Sequence, residues 1–496
     1  MSTSEVARGA WLAGLARMSV AIEAIAQPWY ILLYGLPTYG LYVVLWGCVN
    51  FLSNLLDLSL TAALQREVPR QDSDMRAHAV VRFALLLSLG LTTLAALVIS
   101  LNADAIASLF SATPHDVERL PKAIRIFCWA LPLWTFVEVA TSAARAKRAF
   151  GPEIRLRVFW EQVARIVAAG IFFLIGKSTS GLLFAHLASL SITAVLSLRL
   201  LGRYYDLRTL ATAPIDRGLA KEVTLSGLGL LPSALASRAL IDVPPIALNW
   251  MIPGIAGATA AGLFEIGRKL STVPYIVRQA FQYVLAPLSS AQAKVDRSKI
   301  VDLYRFACRI STALVVPLAG LLIFAAPDIL SIYRREALAA LPILALLASA
   351  RAAEAVVGPA SAIVEMIGHR WLPLLNGGIS VVLLAGFAWW LVPEYGAWGM
   401  AIAAAVATVA PAYAATIELG ISDGVSPFDV RLLRGLTVTL AGLAAMWCAT
   451  EWFGGPVRFV VLLALWAIVS WFALRQGLSR EDREGLGGFS RKLWLV

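Results

Sequence analysis

The sequence predicts an all-α membrane protein of about fourteen transmembrane helices, each roughly twenty residues long, built as two six-helix lobes with two further helices after them. Three observations carry that reading. Of 496 residues, 59% are hydrophobic and 15% are charged, and the mean hydropathy is +0.75. A water-soluble fold has too little core to hide that much apolar sequence. Apolar stretches long enough to cross a bilayer recur along the whole chain, and the landmarks of its first half return in the second in the same order.

The spans are expected near 9–34, 39–65, 80–101, 122–145, 158–176, 180–200, 223–250, 258–288, 303–325, 338–362, 372–392, 397–420, 434–453 and 457–474. No cleavable signal peptide is expected, because residues 1–10 are short and polar and the first apolar stretch lacks a small-residue cleavage site. Segments 103–119 and 326–336 read equally as amphipathic outer helices or as plain outer loops. The loops alternate in charge. One set holds Arg66, Arg70 and Arg76, then Arg145, Lys147, Arg148, Arg155 and Arg157, then Arg203, Arg208, Arg217 and Lys221, then Lys294, Arg297 and Lys299, then Arg431 and Arg434. The tail adds Arg475, Arg480, Arg483, Arg491 and Lys492, whereas the other set holds Arg119, Lys122, Lys177, Arg334 and Arg335. Basic loops stay cytoplasmic, so both termini are expected inside. The net charge of +11 is absorbed in the same way, without nucleic acid as a partner.

The repeat is legible at single positions. Arg17 matches Arg238, Gly40-Leu41-Tyr42 matches Gly262-Leu263-Phe264, Arg82-Phe83 matches Arg305-Phe306, and Asp104-Ala105-Ile106 matches Asp328-Ile329-Leu330, at offsets rising from 221 to 224. Glu138 and Gly151 parallel Glu354 and Gly368 at 216 and 217. The expected domains are an N-lobe over 1–201, a cytoplasmic linker over 202–222, a C-lobe over 223–420, two extra helices within 434–474 and a basic tail over 475–496. Six spans per lobe give both lobes the same orientation, which suits a transporter that rocks two bundles about a central site.

The stretch Gly262 to Ser290, GLFEIGRKLSTVPYIVRQAFQYVLAPLSS, is apolar yet carries Glu265, Arg268, Lys269 and Arg278, with Pro274 inside it and Pro287 near its end. Charges in such a helix are costly unless they face protein or a water-filled cavity, so one side of it is read as lining a translocation path.

These features together resemble the polysaccharide-exporter, oligosaccharide-flippase branch of the multidrug/oligosaccharidyl-lipid/polysaccharide (MOP) transporter superfamily. The resemblance rests on the two halves, the Gly-Leu-Tyr entry to the second span, the Arg-rich loop after it, GLFEIGRKL…VLAPLSS followed by a basic loop and IVDLYRFACRIS, and LVPEYGAWGMAIAAAVA at 391–407. It covers nearly the whole chain. It implies a V-shaped transporter of the bacterial inner membrane, multi-pass, that flips a polyprenyl-diphosphate-linked oligosaccharide from the cytoplasmic to the outer leaflet by alternating access, for cell-surface polysaccharide biosynthesis. Related lipid II flippases carry cavity arginines in their first and eighth helices, and Arg17 and Arg268 fall at matching places. Such relatives often carry a second arginine late in the first helix, where this chain has Glu23.

A diphosphate cannot cross hydrocarbon bare, and arginine suits it because a planar guanidinium binds phosphate oxygens bidentately and stays charged. Arg17, Arg238, Arg268 and Arg351 are therefore the expected substrate-binding set. The competing reading is ion pairing that holds the bundle together: Arg238 and Asp242 stand at i,i+4, as do Glu161 and Arg165, and Arg351 and Glu354 at i,i+3. Lys269 and Arg278 either snorkel or face loops. Glu138, Glu23, Asp242 and Glu265 are the candidates for coupling to an H⁺ or Na⁺ gradient, with membrane potential as the other driving force. Glu161 and Glu354 read better as arginine partners, and Asp57 reads as interfacial. Pro28, Pro244, Pro245 and Pro274 are hinge candidates, because an interior proline removes a helical hydrogen bond; packing accommodation is the alternative. Trp29, Tyr30, Trp134, Trp160 and Tyr283, near span ends, serve a glycan or an interfacial belt.

Cys48, Cys128, Cys308 and Cys448 lie in apolar spans without paired spacing and read as small buried hydrophobes. His78, His115, His186 and His369 are scattered, so no metal and no cofactor is expected. The expected partners are the lipid-linked oligosaccharide, membrane lipids and polysaccharide polymerase machinery, around a monomer. Two rivals stand beside the flippase. A drug or organic-cation exporter of the same fold needs an acidic lumen, against which the arginines argue. A membrane glycan polymerase or ligase, the enzyme reading, needs a long outer loop with catalytic groups, and none is seen in the sequence.

Overall fold

The structure is a computed structural model that describes residues 22, 25–147, 155–176, 180–292, 297–367 and 371–485. Within a bilayer every backbone N–H and C=O must be answered inside the chain, and helices do this segment by segment. The described residues are accordingly helices joined by short turns: α1 (25–34), α2 (Leu36–Leu56), α3 (Leu60–Glu67), α4 (Asp74–Leu101), α5 (Ala130–Ala146), α6 (Glu161–Leu174), α7 (Gly181–Tyr204), α8 (Arg217–Met251), α9 (Gly254–Gln292), α10 (Arg297–Phe324), α11 (Leu341–Val357), α12 (Trp371–Asp423), α13 (Val430–Trp452) and α14 (Gly455–Gly477). Ten helices among the described residues are long and apolar enough to cross a membrane, α5 counted together with the Leu120–Phe127 helix before it and α11 with the Arg335–Ala340 turn. The protein is a multi-pass membrane protein, and α1, α6 and α9 fall in the expected first, fifth and eighth spans. One long helix, α12, is folded in two at Gly396, whose φ of 55° and ψ of −130° interrupt it where the expected eleventh and twelfth spans meet. Short helices Ala103–Ala107, Pro114–Val117 and Ala326–Ser331 occupy most of the segments read as helix or loop.

The chain divides into two compact units, one formed by residues 25–262 and the other containing Leu263 onward; the boundary falls within α9. In the first unit α2 packs against α8 and α5, α4 against α5, and α7 against α5 and α6. A core of Leu60, Leu64, Val80, Val81, Val139 and Leu201 closes one end of it. In the second unit α10 packs against α11, α13 and α14, and α11 against α12.

Contacts inside each unit echo one another. Arg82, at the start of α4, donates to the carbonyl of Ala213 at 2.6 Å; Arg305, in α10, donates to the carbonyl of Ser426 at 3.3 Å. Those carbonyls open the matching runs Ala213-Pro214-Ile215-Asp216 and Ser426-Pro427-Phe428-Asp429. Each aspartate then caps the next helix, Asp216 accepting from the N–H of Leu219 at 2.7 Å and Asp429 from that of Leu432 at 2.8 Å. Burial opposes ionisation of Asp429, but the Arg309 guanidinium and the Leu432 N–H outweigh it and hold the carboxyl below the usual carboxylate range. Arg309 also reaches Asp482 at 2.7 Å, fastening residues beyond α14 to α10.

One sequence reading is corrected here. Cys128 and Cys308 are buried, but Cys448 is exposed on α13, so it is not a core residue. Asp57 is only 5% exposed. Pro244 and Pro245 lie buried inside α8, which continues through them to Met251.

The tightest approach in the first unit is between Gly40 of α2 and the start of α9. A Cβ on Gly40 would sit 1.8 Å from the carbonyl oxygen of Ala258, whereas one on Gly229 of α8 would meet nothing within 4 Å. Gly40→Ala is expected to cost about 1–3 kcal/mol of stability and Gly229→Ala to be neutral or slightly stabilising, as read from thermal unfolding of the two purified variants.

Candidate functional site

The functional side chains are described unit by unit. In the first unit, α2, α5 and α8 are held by one buried amide. Asn50 donates from Nδ2 to both carboxylate oxygens of Asp242, at 3.1 and 3.0 Å, and accepts from the indole N–H of Trp134 at 3.1 Å. Asp242, expected to pair with Arg238 one turn before it, is thus held by a residue 192 positions away. Arg238 makes no ion pair among the described residues and is half-buried on α8. The same helix exposes the small and hydroxylic residues Gly229, Pro232, Ser233 and Ser237 in the middle of a span, beside the exposed apolar Leu225, Leu228 and Ile241.

A polar seam continues along α2 and α5. Ser53 and Thr135 share a hydrogen bond of 2.7 Å; one turn further stand Asp57 and Glu138, whose charges interact. Beyond them Ser142 donates to the carbonyl of Thr61 and accepts from Gln65 at 3.4 Å. Glu138, a coupling candidate, is half-buried beside a second carboxylate, which the sequence reading did not anticipate.

The Glu161–Arg165 pair expected at i,i+4 is present at 2.5 Å, with both side chains at most 4% exposed. Its surroundings were not anticipated: Arg165 reaches the Tyr42 hydroxyl at 3.5 Å, which bonds Nδ1 of His186 at 2.9 Å, and the His186 ring lies 4.0 Å from that of Trp46. Buried ions need such company because the charge alone is too costly to desolvate.

In the second unit, Glu265 is 3% exposed and binds Arg268 bidentately, through Nε at 2.8 Å and Nη2 at 2.7 Å, with Lys269 at 3.4 Å. One buried carboxylate thus gathers two cations on α9. A close approach sets this helix against α11, since a Cβ on Gly267 would sit 2.7 Å from Ile343. On α11 Arg351 pairs with Glu354 at 2.6 Å, as expected at i,i+3. Pro274 is buried within α9, and Pro28 lies in α1. Arg17 and Glu23 lie outside the described residues, as do the side chains of Arg278 and Tyr283. Trp134 is buried in the Asn50 network, while Trp29 and Trp160 are exposed. No group of three or more metal-ligating side chains occurs among the described residues.

A family model described as "polysaccharide biosynthesis protein" matches residues 36–334. A search of curated proteins finds no match. Among solved structures, the chain is similar to a lipid II flippase, MurJ, in its inward closed conformation, with a TM-score of 0.74 at 11% identity over 93% of this chain and 97% of that one. It is similar to an inward-facing multidrug resistance MATE family transporter of the MOP superfamily, with a TM-score of 0.62 at 18% identity over 84% and 94% of the two chains. A MOP superfamily transporter from Pyrococcus furiosus matches at 0.62 and 18% identity, over 85% and 96%. At these identities the likeness is one of fold, and the fold is that of the MOP transporters.

The pairing of Arg268 makes a distinct expectation. Arg268→Ala removes the bidentate partner of the buried Glu265 and leaves it the longer Lys269 contact at 3.4 Å; it is expected to cost about 1–3 kcal/mol of stability, the scale of lost charge-assisted hydrogen bonds, as thermal unfolding of the variant in detergent measures.

Proposed function

The chain belongs to the polysaccharide biosynthesis protein family, and from that premise we infer that it flips a polyprenyl-diphosphate-linked oligosaccharide from the cytoplasmic to the outer leaflet of the bacterial inner membrane. The reading follows the substrate's chemistry. The polyprenyl chain stays in lipid, the glycan needs hydroxylic surfaces, and the diphosphate needs fixed positive charge in a water-accessible path. Alternating access supplies the path in turn to each side.

The observation that carries the reading is Arg238. A guanidinium with no acidic partner among the described residues, on a span that exposes Gly229, Pro232, Ser233 and Ser237, is poised to take its counter-charge from a ligand. Arg268 and Lys269 are assigned to the same set, with Glu265 between them. Arg17 is assigned to the same set from its match to Arg238 in the repeat. Arg351, neutralised by Glu354, contributes a contact only if that pair opens. The cationic set disfavours an exporter of organic cations, and neither a glycan polymerase nor a ligase is favoured by any described cluster. We place both termini and the basic loops in the cytoplasm, take the protein as a monomer and assign a proton, through the carboxylates around Glu138, as the coupling ion. Polymerase machinery would receive the flipped product.

The test is replacement of Arg238 in a host that depends on this protein for surface polysaccharide. Arg238→Ala is expected to lower export at least roughly tenfold, the scale of one lost charge-assisted hydrogen bond, with unchanged membrane abundance, and Arg238→Lys to retain an intermediate level. Export by Arg238→Ala at the wild-type level removes Arg238 from the substrate path.

A further inference from the structure

Helix α2 stops at Leu56, and α3 begins at Leu60. The break contains neither glycine nor proline. Leu58 and Ser59 instead take φ values of 52° and 57°, in the left-handed region that side chains with a Cβ avoid. Two such residues in succession, in the interior of a helical unit, require something that holds them.

Asp57 is that constraint. Its Oδ2 accepts from the N–H of Thr61 at 3.1 Å and from the Thr61 hydroxyl at 2.8 Å, and its Oδ1 accepts from the hydroxyl of Ser88 on α4 at 2.7 Å. All three bonds run toward an ionised carboxylate, which caps the first turn of α3. Three neighbouring elements bear on that charge and on the break beside it. From α5 comes the carboxylate of Glu138, which repels it; from α4 comes only the neutral hydroxyl of Ser88; from α8 comes Gly227, whose Cβ, if present, would lie 2.6 Å from the Leu58 carbonyl. The hydroxyl of Ser59 is buried and has no hydrogen-bond partner among the described residues. A buried hydroxyl left unmet next to two left-handed residues marks a conformer kept in place by a neighbour rather than by its own preferences.

We propose that Asp57 is a proton-operated latch: ionised, it holds the break between α2 and α3, and on taking a proton from bulk water it releases Leu58 and Ser59 toward ordinary helical geometry. The proton is bound in one step, as carboxylate plus H⁺ gives carboxyl, and it returns to water when the latch resets. A neutral carboxyl accepts the Thr61 and Ser88 bonds more weakly and brings an O–H that needs an acceptor. Because α8 bears on the break at Gly227 and is joined to α2 again by Asn50 and Asp242, straightening of the break is passed to the helix that carries Arg238. Its use in coupling rests on the transport reading given above, but the latch itself does not.

The test uses the full-length protein in lipid nanodiscs without substrate, so that it succeeds or fails independently of any flipping assay. Hydrogen exchange of the amides over 58–63 is followed against pH and corrected for the intrinsic rate. The wild type is expected to pass from slow to fast exchange, by on the order of tenfold, as pH falls. Asp57→Asn is expected to be fast at every pH. Ser88→Ala, which keeps the carboxylate but removes one bond to its ionised form, moves the wild-type transition to higher pH by about one unit. Wild-type exchange that shows no transition, or a Ser88→Ala curve that superimposes on the wild type, overturns the latch.

Discussion

Charge carried into an apolar helix bundle has to be answered where it sits, and this requirement organises both units. Glu161 answers Arg165, Glu354 answers Arg351, and Glu265 answers Arg268 and Lys269, each within one helical turn. Two further buried acids are answered across helices by neutral donors, Asp242 by Asn50 and Asp57 by Thr61 and Ser88. Against this background Arg238, half-buried and with neither an ion pair nor a side-chain hydrogen bond among the described residues, stands out. The account of function follows from that contrast, since a translocation path for a diphosphate needs positive charge that is not already spent.

Most of the architecture was legible in the sequence because hydropathy over a twenty-residue window is a length measurement, and the bilayer sets the length. The short-range ion pairs were legible for a similar reason, since i,i+3 and i,i+4 neighbours share a helix face whatever the tertiary fold does. Prediction failed where the partner was distant. Asp242 looked paired with Arg238 by spacing, but its partner comes from α2, and nothing local in the sequence names it. Asp57 read as an acid near Arg66, but its contacts come from Thr61 and, across the helix break, from Ser88 of α4. That break has no glycine or proline to announce it, so only the capping set of Asp57, Thr61 and Ser88 explains it.

Some missed residues did leave a signal. Asn50, Ser53, Asp57, Thr61 and Gln65 recur every three to four positions in a largely apolar span, and Thr135, Glu138 and Ser142 do the same in the fourth. Polar residues at helical spacing in two apolar spans point to a shared buried seam. The repeated Ala-Pro-Ile-Asp and Ser-Pro-Phe-Asp runs were also within reach, and they extend the internal correspondence past the sixth and twelfth expected spans. Cys448 was misread because position in an apolar span says nothing about which face of the helix it occupies.

The central claim is that the path carries a lipid-linked diphosphate. The direct measurement is leaflet exchange of a fluorescent polyprenyl-diphosphate oligosaccharide in liposomes containing the purified protein, scored by access of a membrane-impermeant quencher. The account predicts protein-dependent exchange that diphosphate lipid competes and organic cations do not. Absence of exchange under every imposed gradient, together with efflux of a cationic dye from the same liposomes, would contradict it.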